Sequence, residues 1–582
     1  MFVDLRLPTF DLLHVFDFFV GATRYLKLIK QGFAHRKFIR PALFGTAFRK
    51  LSQAEKVIIL LCLFAFVGGG LKNLNLAYQH FTTLVPARGG ELNHGFVGQP
   101  HFINPLFATT VTDLSLTNLV FSGLYKYAPD GSLAPDLAEG MPKISEDKKT
   151  YTILLRKDAV WHDNTKVTAR DVVYTIHMIQ DSEVSSPLKN AWLSTEVQNP
   201  DDHTVTFKTQ NLVALFTHNL TTPIIPAHIW EKTDIKNFAV SPLNLDRAIG
   251  SGPYVIQETS KDPSRGKVLK VSLKAFENFY GTEPLLTNVN AYFFDSNSEA
   301  EHALTSKSID AFGGIATETE DNPQNLVQFK PALNQAQVVF LNTQAGPTQD
   351  RNVRLALGKA INREKIISEG LNGNATSLIA PIFPADGPDI PTTSPTDMAG
   401  AKELLKKAKG EVKLRLVTTK NPTLTRTASL LAETWKELGA TVTIETIESK
   451  DVKERIIKQH DFDAFLYSYK IDPGSDLFAF WHSSQTKDPG INLSGFTNTE
   501  ADKLIIESRI QLDPTARQKA ITGFMNIFKA ETPAIILNQT LYNYRVTKDL
   551  HNVTIQNLYE PSTLFYDTRN WYTKTKRAWK FN

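Results

Sequence analysis

Apolar residues follow two patterns along the chain: one long uncharged run near its start, and many short periodic segments after it. The run covers residues 57–71. Beyond residue 88, strict alternation over residues 151–156 predicts a strand, and Thr168 with Asp171 predicts a capped helix start. Alternation predicts four more strands in the first half of the chain, at residues 204–208, 254–258, 269–275 and 289–294.

The second half of the chain alternates strands with helices. Strands are predicted at residues 412–417, 442–447 and 463–469, and helices at 423–438 and 451–460 lie between them. This β-α-β-α-β order implies a parallel sheet with helices on its faces. The periodicity of the two halves therefore predicts two α/β lobes with a cleft between them.

The long apolar run has the composition of a membrane-spanning helix. Ser52 and Glu55 form an S-x-x-E capping box at its start, and its fifteen residues extend about 22 Å at the helical rise. A hydrocarbon layer is about 30 Å thick, so a span also needs the flanks at 53–56 and 72–78, where lysines can snorkel. We predict a transmembrane helix at 57–71.

Charge is distributed unevenly about this run. Residues 1–56 carry ten Lys or Arg and four acids, a net +6, so the other 526 residues sum to −2 within the total of +4. Positive charge marks the cytoplasmic flank of a span. We predict a basic cytoplasmic tail at 1–56, a stalk at 72–88 and an extracytoplasmic body after it. The charge of that body argues against nucleic-acid binding.

Other interpretations of the run fit the sequence less well. A buried soluble helix does not explain the basic flank. A cleaved signal peptide would have a basic segment of more than 50 residues, which is abnormally long. A lipid anchor would use Cys62, the only cysteine, but Leu61 precedes it where a small residue is needed.

Sequence motifs for catalysis are absent. The chain has no P-loop, H-E-x-x-H, C-x-x-C or G-x-S-x-G motif, and its fourteen histidines are scattered. We therefore predict that the chain is not an enzyme and holds no metal or cofactor. A hydrolase remains an open alternative, because catalytic groups usually meet in space and not in sequence.

An ordered string of short motifs resembles the family 5 extracellular solute-binding proteins, the dipeptide, oligopeptide and nickel-binding group of ABC importers. The string begins with LVFSGL at 119–124, PDLAE at 135–139, WHD at 161–163 and TARDVVY at 168–174. Further motifs agree in order: PAHIW at 226–230, GSGPY at 250–254, DRNVRLA at 350–356 and AINREKI at 360–366. The resemblance covers about residues 90–545.

The resemblance implies an α/β, class II periplasmic-binding-protein-like fold, here preceded by the N-terminal transmembrane helix. Two crossovers would link the lobes, and lobe 1 would carry an extra subdomain. On this basis we predict lobe 1 at 89–320, lobe 2 at 321–534 and a return to lobe 1 at 535–582.

The resemblance also implies a function. The lobes would close on a peptide or a similar small solute and deliver it to an ABC permease powered by a separate ATPase. A surface peptide-binding protein with a signalling or chaperone role is the alternative, as is a hydrolase on the same scaffold.

Candidate ligand-binding residues follow the strand predicted at 463–469. In peptide-binding relatives an aspartate here pairs with the ligand's α-amino group, so the resemblance points to Asp472 or Asp476. The stretch is shorter than usual, and nearby Lys470 disfavours an amine, so a turn or surface role is the alternative. Aromatic and small polar groups complete the predicted site, with core packing as the alternative for the tryptophan: Tyr469, Trp481, Asn492 and Ser494.

Overall fold

The structure is a computed structural model that describes most of the chain. The described residues are 52–210, 216–315, 325–382, 394–408, 410–470, 476–511, 513–555 and 557–580. They divide into two compact units. The first unit contains the chain up to Val85 and the chain from Arg577, and the second contains residues 86–576.

The first unit is built on helix α1 (Gln53–Phe81). Among the described residues it is the one helix long and apolar enough to cross a membrane, and its apolar window is fully exposed. The helix continues ten residues past the predicted span of 57–71, because neither proline nor glycine interrupts residues 72–81. The first part of the predicted stalk is therefore helical.

A strand follows the helix directly. β1 (Thr82–Ala87) pairs with the last strand of the chain, β22 (Lys574–Trp579), in a two-stranded sheet. The prediction that all of residues 535–582 returns to lobe 1 is therefore wrong for this final strand. Its sequence alternates too weakly to show where it pairs.

Lobe 1 of the second unit contains a seven-stranded mixed sheet in the order β13-β20-β12-β2-β11-β10-β9. β2 runs parallel to β11, with Leu92 opposite Val289, and β10 is antiparallel to both of its neighbours. The strands predicted at 254–258, 269–275 and 289–294 are confirmed. The seven strands are β2 (Glu91–Val97), β9 (Tyr254–Lys261), β10 (Val268–Ala275), β11 (Asn288–Phe294), β12 (Ala311–Gly314), β13 (Leu326–Phe329) and β20 (Asn543–Thr547).

The extra subdomain of lobe 1 is a four-stranded antiparallel sheet in the order β5-β6-β8-β7. It contains the strands predicted from alternation at 151–156 and 204–208. A separate hairpin, β3 (Tyr125–Tyr127) with β4 (Leu133–Pro135), precedes it. The four strands are β5 (Lys143–Ile144), β6 (Thr150–Leu154), β7 (Thr195–Asp201) and β8 (Thr204–Thr209).

Most helices of lobe 1 pack their apolar faces into one core, whereas α7 (Asn297–Thr305) packs into a smaller separate cluster. α3 (Ala169–Gln180) begins with the predicted capping box, in which the Asp171 carboxylate accepts from the Thr168 backbone N–H at 2.8 Å. Its Val172, Ile176 and Ile179 are buried, whereas Val173 is only partly buried. Besides α3 and α7, the α-helices of four or more residues here are α2 (Val111–Val120), α4 (Lys189–Trp192), α5 (Phe216–Asn219) and α6 (Ala227–Trp230).

The GSGPY motif holds a turn against α2. A Cβ atom at Gly250 would lie 1.9 Å from the carbonyl oxygen of Val120, and one at Gly252 would lie 2.6 Å from the carbonyl carbon of the same residue. Only glycine allows the two backbones to approach so closely. The motif is therefore structural.

Lobe 2 contains a sheet in the order β15-β19-β14-β18-β16-β17, with β21 beside β14. β16 is parallel to both β17 and β18, which confirms the predicted β-α-β-α-β unit. β14 is antiparallel to β18 and β19, so the whole sheet is mixed. The strands are β14 (Ala332–Leu341), β15 (Ala375–Ser377), β16 (Lys413–Thr419), β17 (Thr441–Ile447), β18 (Ala464–Lys470), β19 (Ala534–Leu541) and β21 (Asn557–Leu558).

Two cores lie on opposite faces of this sheet. Alternate residues of β14 enter different cores: Val338 and Phe340 join one, and Val339 and Leu341 join the other. α11 (Pro422–Leu438) covers one face and ends at Gly439, whose φ is 111°. The other helices are α8 (Arg351–Lys359), α9 (Arg363–Lys365), α10 (Met398–Leu405), α12 (Phe478–Trp481), α13 (Thr499–Ile510) and α14 (Pro514–Glu531).

The α-helix predicted at 451–460 is wrong in type. The chain forms a 3₁₀ turn at Ser449–Asp451 and a wider π-type turn at Val452–Lys458. Arg455 binds the carboxylates of Glu445 and Asp461 in this region. These ion pairs accompany the 3₁₀ and π-type geometry. The apolar spacing alone does not distinguish such geometry from an α-helix.

The lobe boundaries lie a few residues beyond the predicted ones. β13 (Leu326–Phe329) still belongs to the lobe 1 sheet, and β19 (Ala534–Leu541) still belongs to the lobe 2 sheet. The predicted boundaries at 320/321 and 534/535 therefore move to about 330 and 542. Both crossovers run directly from one strand into the next, so no loop composition marks them.

Candidate functional site

The two crossovers between the lobes lie side by side. One joins β13 to β14 through Lys330 and Pro331, and the other joins β19 to β20 through Tyr542. The Tyr542 N–H donates to the Pro331 carbonyl at 2.9 Å, which ties the two connections together. A pair of short, bonded connections between two separately packed lobes has the geometry of a hinge.

An ion pair joins the lobes next to these crossovers. The Lys470 ammonium, at the end of β18 in lobe 2, lies 2.7 Å from the Glu560 carboxylate, which follows β21 at the point where the chain leaves the lobe 2 sheet for lobe 1. The same ammonium lies 4.5 Å from the centre of the Tyr559 ring. Lys470 is half-exposed and Glu560 is less so, so the pair is accessible to solvent and to a ligand.

Aromatic contacts continue this chain of interactions into lobe 1. Tyr559 stacks on Tyr127 of the β3–β4 hairpin with ring centres 5.3 Å apart. The Tyr127 hydroxyl lies 3.0 Å from Nδ1 of His218 and shares a hydrogen bond with it. A cation, a carboxylate, two phenol rings and an imidazole are thereby held together at the junction of the lobes.

Burial sets the protonation of His218. Removal from water and, as the smaller cause, the positive charge of Arg517 on α14 of lobe 2 together lower the pKa of its imidazole to about 4. His218 is therefore neutral at neutral pH. The interaction with Arg517 also shows that charges of lobe 2 act on a side chain of lobe 1 at this place.

A cavity of about 20 Å³ lies beside Tyr559. It has room for about one water molecule and is much smaller than a ligand pocket of roughly 300–1,000 Å³. Asp567 is its one acidic residue, and burial raises the pKa of that carboxyl. The cavity is lined by the β3–β4 hairpin and the returning segment: Tyr127, Ala128, Pro129, Gly131, Thr554, Ile555, Leu558, Tyr559, Thr563, Leu564, Tyr566 and Asp567.

A second, smaller cavity of about 10 Å³ is also lined by Tyr566. It is polar: the Lys126 ammonium binds the buried Asp136 carboxylate at 2.8 Å, and Arg569 lies in its wall. Burial raises the pKa of the Tyr566 hydroxyl, and the negative charges of Glu560 and Asp136 raise it further. Tyr566 therefore stays protonated between the two cavities.

The structure brings two of the predicted site residues together in the interior of lobe 2, away from the junction. Tyr469 is buried against the rings of Phe340 and Phe480. Trp481 is buried against Phe340 and, edge to face, against Phe528 at 4.9 Å. These contacts favour core packing for both side chains.

The predicted polar residues have local partners. The Asn492 amide donates to the carbonyls of His482 and Phe496 and accepts from the Phe496 N–H at 3.2 Å. Ser494 is buried, its carbonyl accepts from Thr343, and its hydroxyl has no hydrogen-bond partner within the described part of the chain. Asn492 and Ser494 thereby close a turn in lobe 2.

Of the two predicted aspartates, only Asp476 lies within the described residues. The Asp476 carboxylate accepts from the Phe478 N–H at 3.0 Å and from the Arg509 guanidinium at 3.1 Å. Both of its oxygens are therefore engaged within lobe 2. Asp472 lies outside the described residues.

Sequence reasoning missed Glu560, Tyr559, Tyr127 and His218 as members of one site. They are scattered over more than 430 positions, and no motif joins them. The sequence alone indicates only that Lys470 disfavours a bound amine. The structure pairs it with Glu560, which offsets its charge.

Comparison with known proteins agrees with this fold. The sequence model of the "Bacterial extracellular solute-binding proteins, family 5 Middle" matches residues 132–490. The oligopeptide-binding protein AppA of Bacillus subtilis is 24% identical over 533 residues, which cover 85% of this chain and 96% of AppA. A dipeptide-binding protein of Escherichia coli is 25% identical over 528 residues, covering 84% of this chain and 96% of the relative.

Solved structures show the same architecture. The structure of B. subtilis AppA in complex with a nonapeptide superimposes with a TM-score of 0.65 at 24% identity, covering 84% of this chain and 99% of that one. The ABC transporter substrate-binding protein CtaP of Listeria monocytogenes superimposes with a TM-score of 0.71 at 24% identity, covering 84% and 100%. The two-lobe fold is thus shared over the whole body, and this chain belongs to the family 5 bacterial extracellular solute-binding proteins.

Proposed function

We propose that this chain is a membrane-anchored extracytoplasmic receptor that encloses short peptides between its lobes and delivers them to an ABC importer. The observation that carries the proposal is the junction itself: two separately packed lobes meet through Lys470 and Glu560 beside a hinge. The two relatives named above, an oligopeptide-binding and a dipeptide-binding protein, support peptides as the ligand class.

The charges at the junction complement a peptide. A free peptide carries an ammonium group and a carboxylate, and the junction offers one carboxylate and one ammonium that are paired with each other at 2.7 Å. A zwitterionic ligand replaces this internal pair with two pairs of its own. Glu560 thereby takes the role of amine anchor that the resemblance assigned to Asp472 or Asp476.

The residues beside Tyr559 offer a lining for a ligand side chain. They combine apolar groups with Tyr559, Tyr566 and the carboxyl of Asp567 around a cavity that has room for about one water molecule. Tyr559 precedes Glu560 in the chain, so a ligand whose ammonium binds Glu560 has its first side chain near this lining once the lobes open. Such a site accepts varied side chains, because the main-chain charges hold the ligand.

Anchoring in the membrane rests on α1. Its apolar window within Lys56–Phe81 is exposed, and the basic charge of residues 1–56 favours an N-terminus inside the cell. The body then lies outside, where it can present ligand to a permease in the same membrane.

A thermal-shift screen of the full chain in lipid nanodiscs tests the function. We expect di- to hexapeptides to raise the unfolding temperature, since a ligand at 100 times its Kd adds about 2.7 kcal/mol to the free energy of unfolding. Mass spectrometry of the same samples follows peptide cleavage. No stabilisation by any peptide refutes the proposal, and turnover of the peptides would establish the hydrolase alternative.

A further inference from the structure

The end of the anchor helix and the end of the chain meet in the first unit. The Arg577 guanidinium donates to the Thr82 hydroxyl at 3.0 Å and lies 5.8 Å from the centre of the Tyr78 ring. The Trp579 ring meets Tyr78 edge to face at 6.0 Å. The Lys580 N–H donates to the Phe81 carbonyl at 2.9 Å. The C-terminal residues are therefore bound at the point where α1 ends.

This cluster exposes aromatic and apolar groups where a soluble surface would bury them. Trp579 is 58% exposed, Tyr78 is 44% exposed, and Leu84 of β1 is 59% exposed. The other six tryptophans of the chain are at most 2% exposed. Exposed aromatic rings that carry a polar group are typical of the boundary between a membrane and water.

The charge around these rings has one sign. Residues 72–87 and 572–582 contain five basic residues and no acid. Among the basic residues, Arg577 and Lys580 adjoin the Tyr78–Trp579 pair directly. An anionic membrane surface would complement this charge.

The length of α1 places the cluster at the right depth. A helix crosses the hydrocarbon layer in about 20 residues, so a span that starts at Val57, after the basic flank, ends near Leu76. Tyr78 follows half a turn later. The Tyr78–Trp579 pair then lies at the level of the outer headgroups, and Arg577 and Lys580 lie beside it.

We propose that Tyr78, Arg577, Trp579 and Lys580 form an interfacial collar that binds anionic phospholipid headgroups at the outer surface of the membrane that α1 crosses. The collar rests on the proposed membrane anchoring. The body is joined to the collar at both of its ends, because residues 86–576 begin within β1 and end within β22.

The distribution of tryptophans provides a selective test. Full-length protein is reconstituted into vesicles of phosphatidylcholine with phosphatidylglycerol, in which the acyl chains are brominated near the headgroup. Bromine quenches a nearby indole, and Trp579 is the one exposed tryptophan. We expect quenching in the wild type and its loss in Trp579→Phe. Trp230→Phe, a change of a buried tryptophan, serves as the matched control and leaves the quenching in place.

Charge variants test the lipid preference. In vesicles with phosphatidylglycerol we expect Arg577→Gln and Lys580→Gln each to weaken the binding of the collar to the vesicle surface about five-fold. We expect a smaller change in this binding in pure phosphatidylcholine. Extraction with alkaline carbonate reports separately on α1. A chain that resists extraction but shows no Trp579 quenching overturns the collar and leaves the anchor intact. A chain that is extracted overturns the anchor, and the collar with it.

Discussion

Tyr469 and Lys470 are neighbours at the end of one strand, yet they belong to two different regions of the molecule. Tyr469 points into the aromatic interior of lobe 2, where it is almost fully buried against Phe340 and Phe480. Lys470 points to the junction of the lobes, where its ammonium is half-exposed and meets Glu560. Successive side chains of a strand alternate between its two faces. Two adjacent residues can therefore face the core and the proposed ligand surface.

The difference between the two regions lies in how their polar groups are used. In the lobe 2 interior, Asn492 and Asp476 bind groups of their own lobe. At the junction, Lys470 and Glu560 bind each other, and the proposed function requires the lobes to separate there. A residue can exchange its partner for a ligand only where the original partner can move away. Changes in the first region should therefore affect stability, and changes in the second should affect binding.

The largest expected effect is on stability. Trp481→Ala removes the ring that packs between Phe340 and Phe528 and leaves a cavity in lobe 2. We expect the free energy of unfolding to fall by about 3–5 kcal/mol, measured by urea denaturation. Peptide affinity below the transition should stay unchanged. A loss of affinity without a loss of stability would instead place Trp481 in the ligand site.

The next effect is on affinity. Glu560→Gln removes the carboxylate proposed to bind the ligand ammonium, and a hydrogen bond to a charged group contributes about 1.5–3 kcal/mol. We expect roughly a 10- to 100-fold weaker Kd by calorimetry. N-acetylation of the peptide should weaken its binding to the wild type by a similar factor and should change its binding to the variant little. Equal losses of affinity on N-acetylation in both proteins would contradict the role of Glu560.

The third effect appears only in acid. The folded pKa of His218 is about 4, below its usual value of 6.5, so the folded protein binds fewer protons between these values. Its contribution to stability is complete above pH 6.5 and is lost as the pH falls towards 4, by at most about 3 kcal/mol. His218→Gln should reduce this pH dependence in denaturation experiments. His94 and His162, with folded pKa values of about 3 and 4, should account for the pH dependence that remains in this variant. An unchanged slope would show that His218 is not desolvated.

The smallest effect belongs to an exposed ion pair of lobe 2. Lys406 and Glu403 are 2.7 Å apart and both largely exposed, away from the junction. Water screens the attraction between such exposed charges, so the pair contributes little to stability. Glu403→Gln therefore matches Glu560→Gln in chemistry and should leave both peptide affinity and unfolding unchanged. A weakened affinity here would mean that charge alone, and not the junction, controls binding.

Periodicity predicted most of the architecture because each lobe has well-patterned elements. The capping box of α3, the helix end at Gly439 and the parallel arrangement of β16, β17 and β18 all follow from local sequence. The crossovers do not, because each runs from strand to strand without a loop. The pairing of β22 with β1 joins segments almost 500 positions apart, and no local preference specifies such a partner.

The candidate site was harder to predict than the fold. A stretch with Tyr469, Trp481, Asn492 and Ser494 looks like a ligand surface in sequence because aromatic and small polar residues suit both a pocket and a core. Burial separates the two possibilities, and burial depends on contacts such as Phe340 with Trp481. Glu560 carries no sequence signal, since only the fold brings it to Lys470.

The distance between the lobes tests the central claim most directly. Full-length protein with Cys62→Ser receives spin labels at Glu146→Cys on the lobe 1 subdomain and Lys453→Cys on lobe 2, both exposed positions. Pulsed electron paramagnetic resonance then measures the label-to-label distance with and without a stabilising peptide. Closure around the ligand predicts a shift to a single, shorter and narrower distance distribution. An unchanged distribution at saturating peptide would contradict the account.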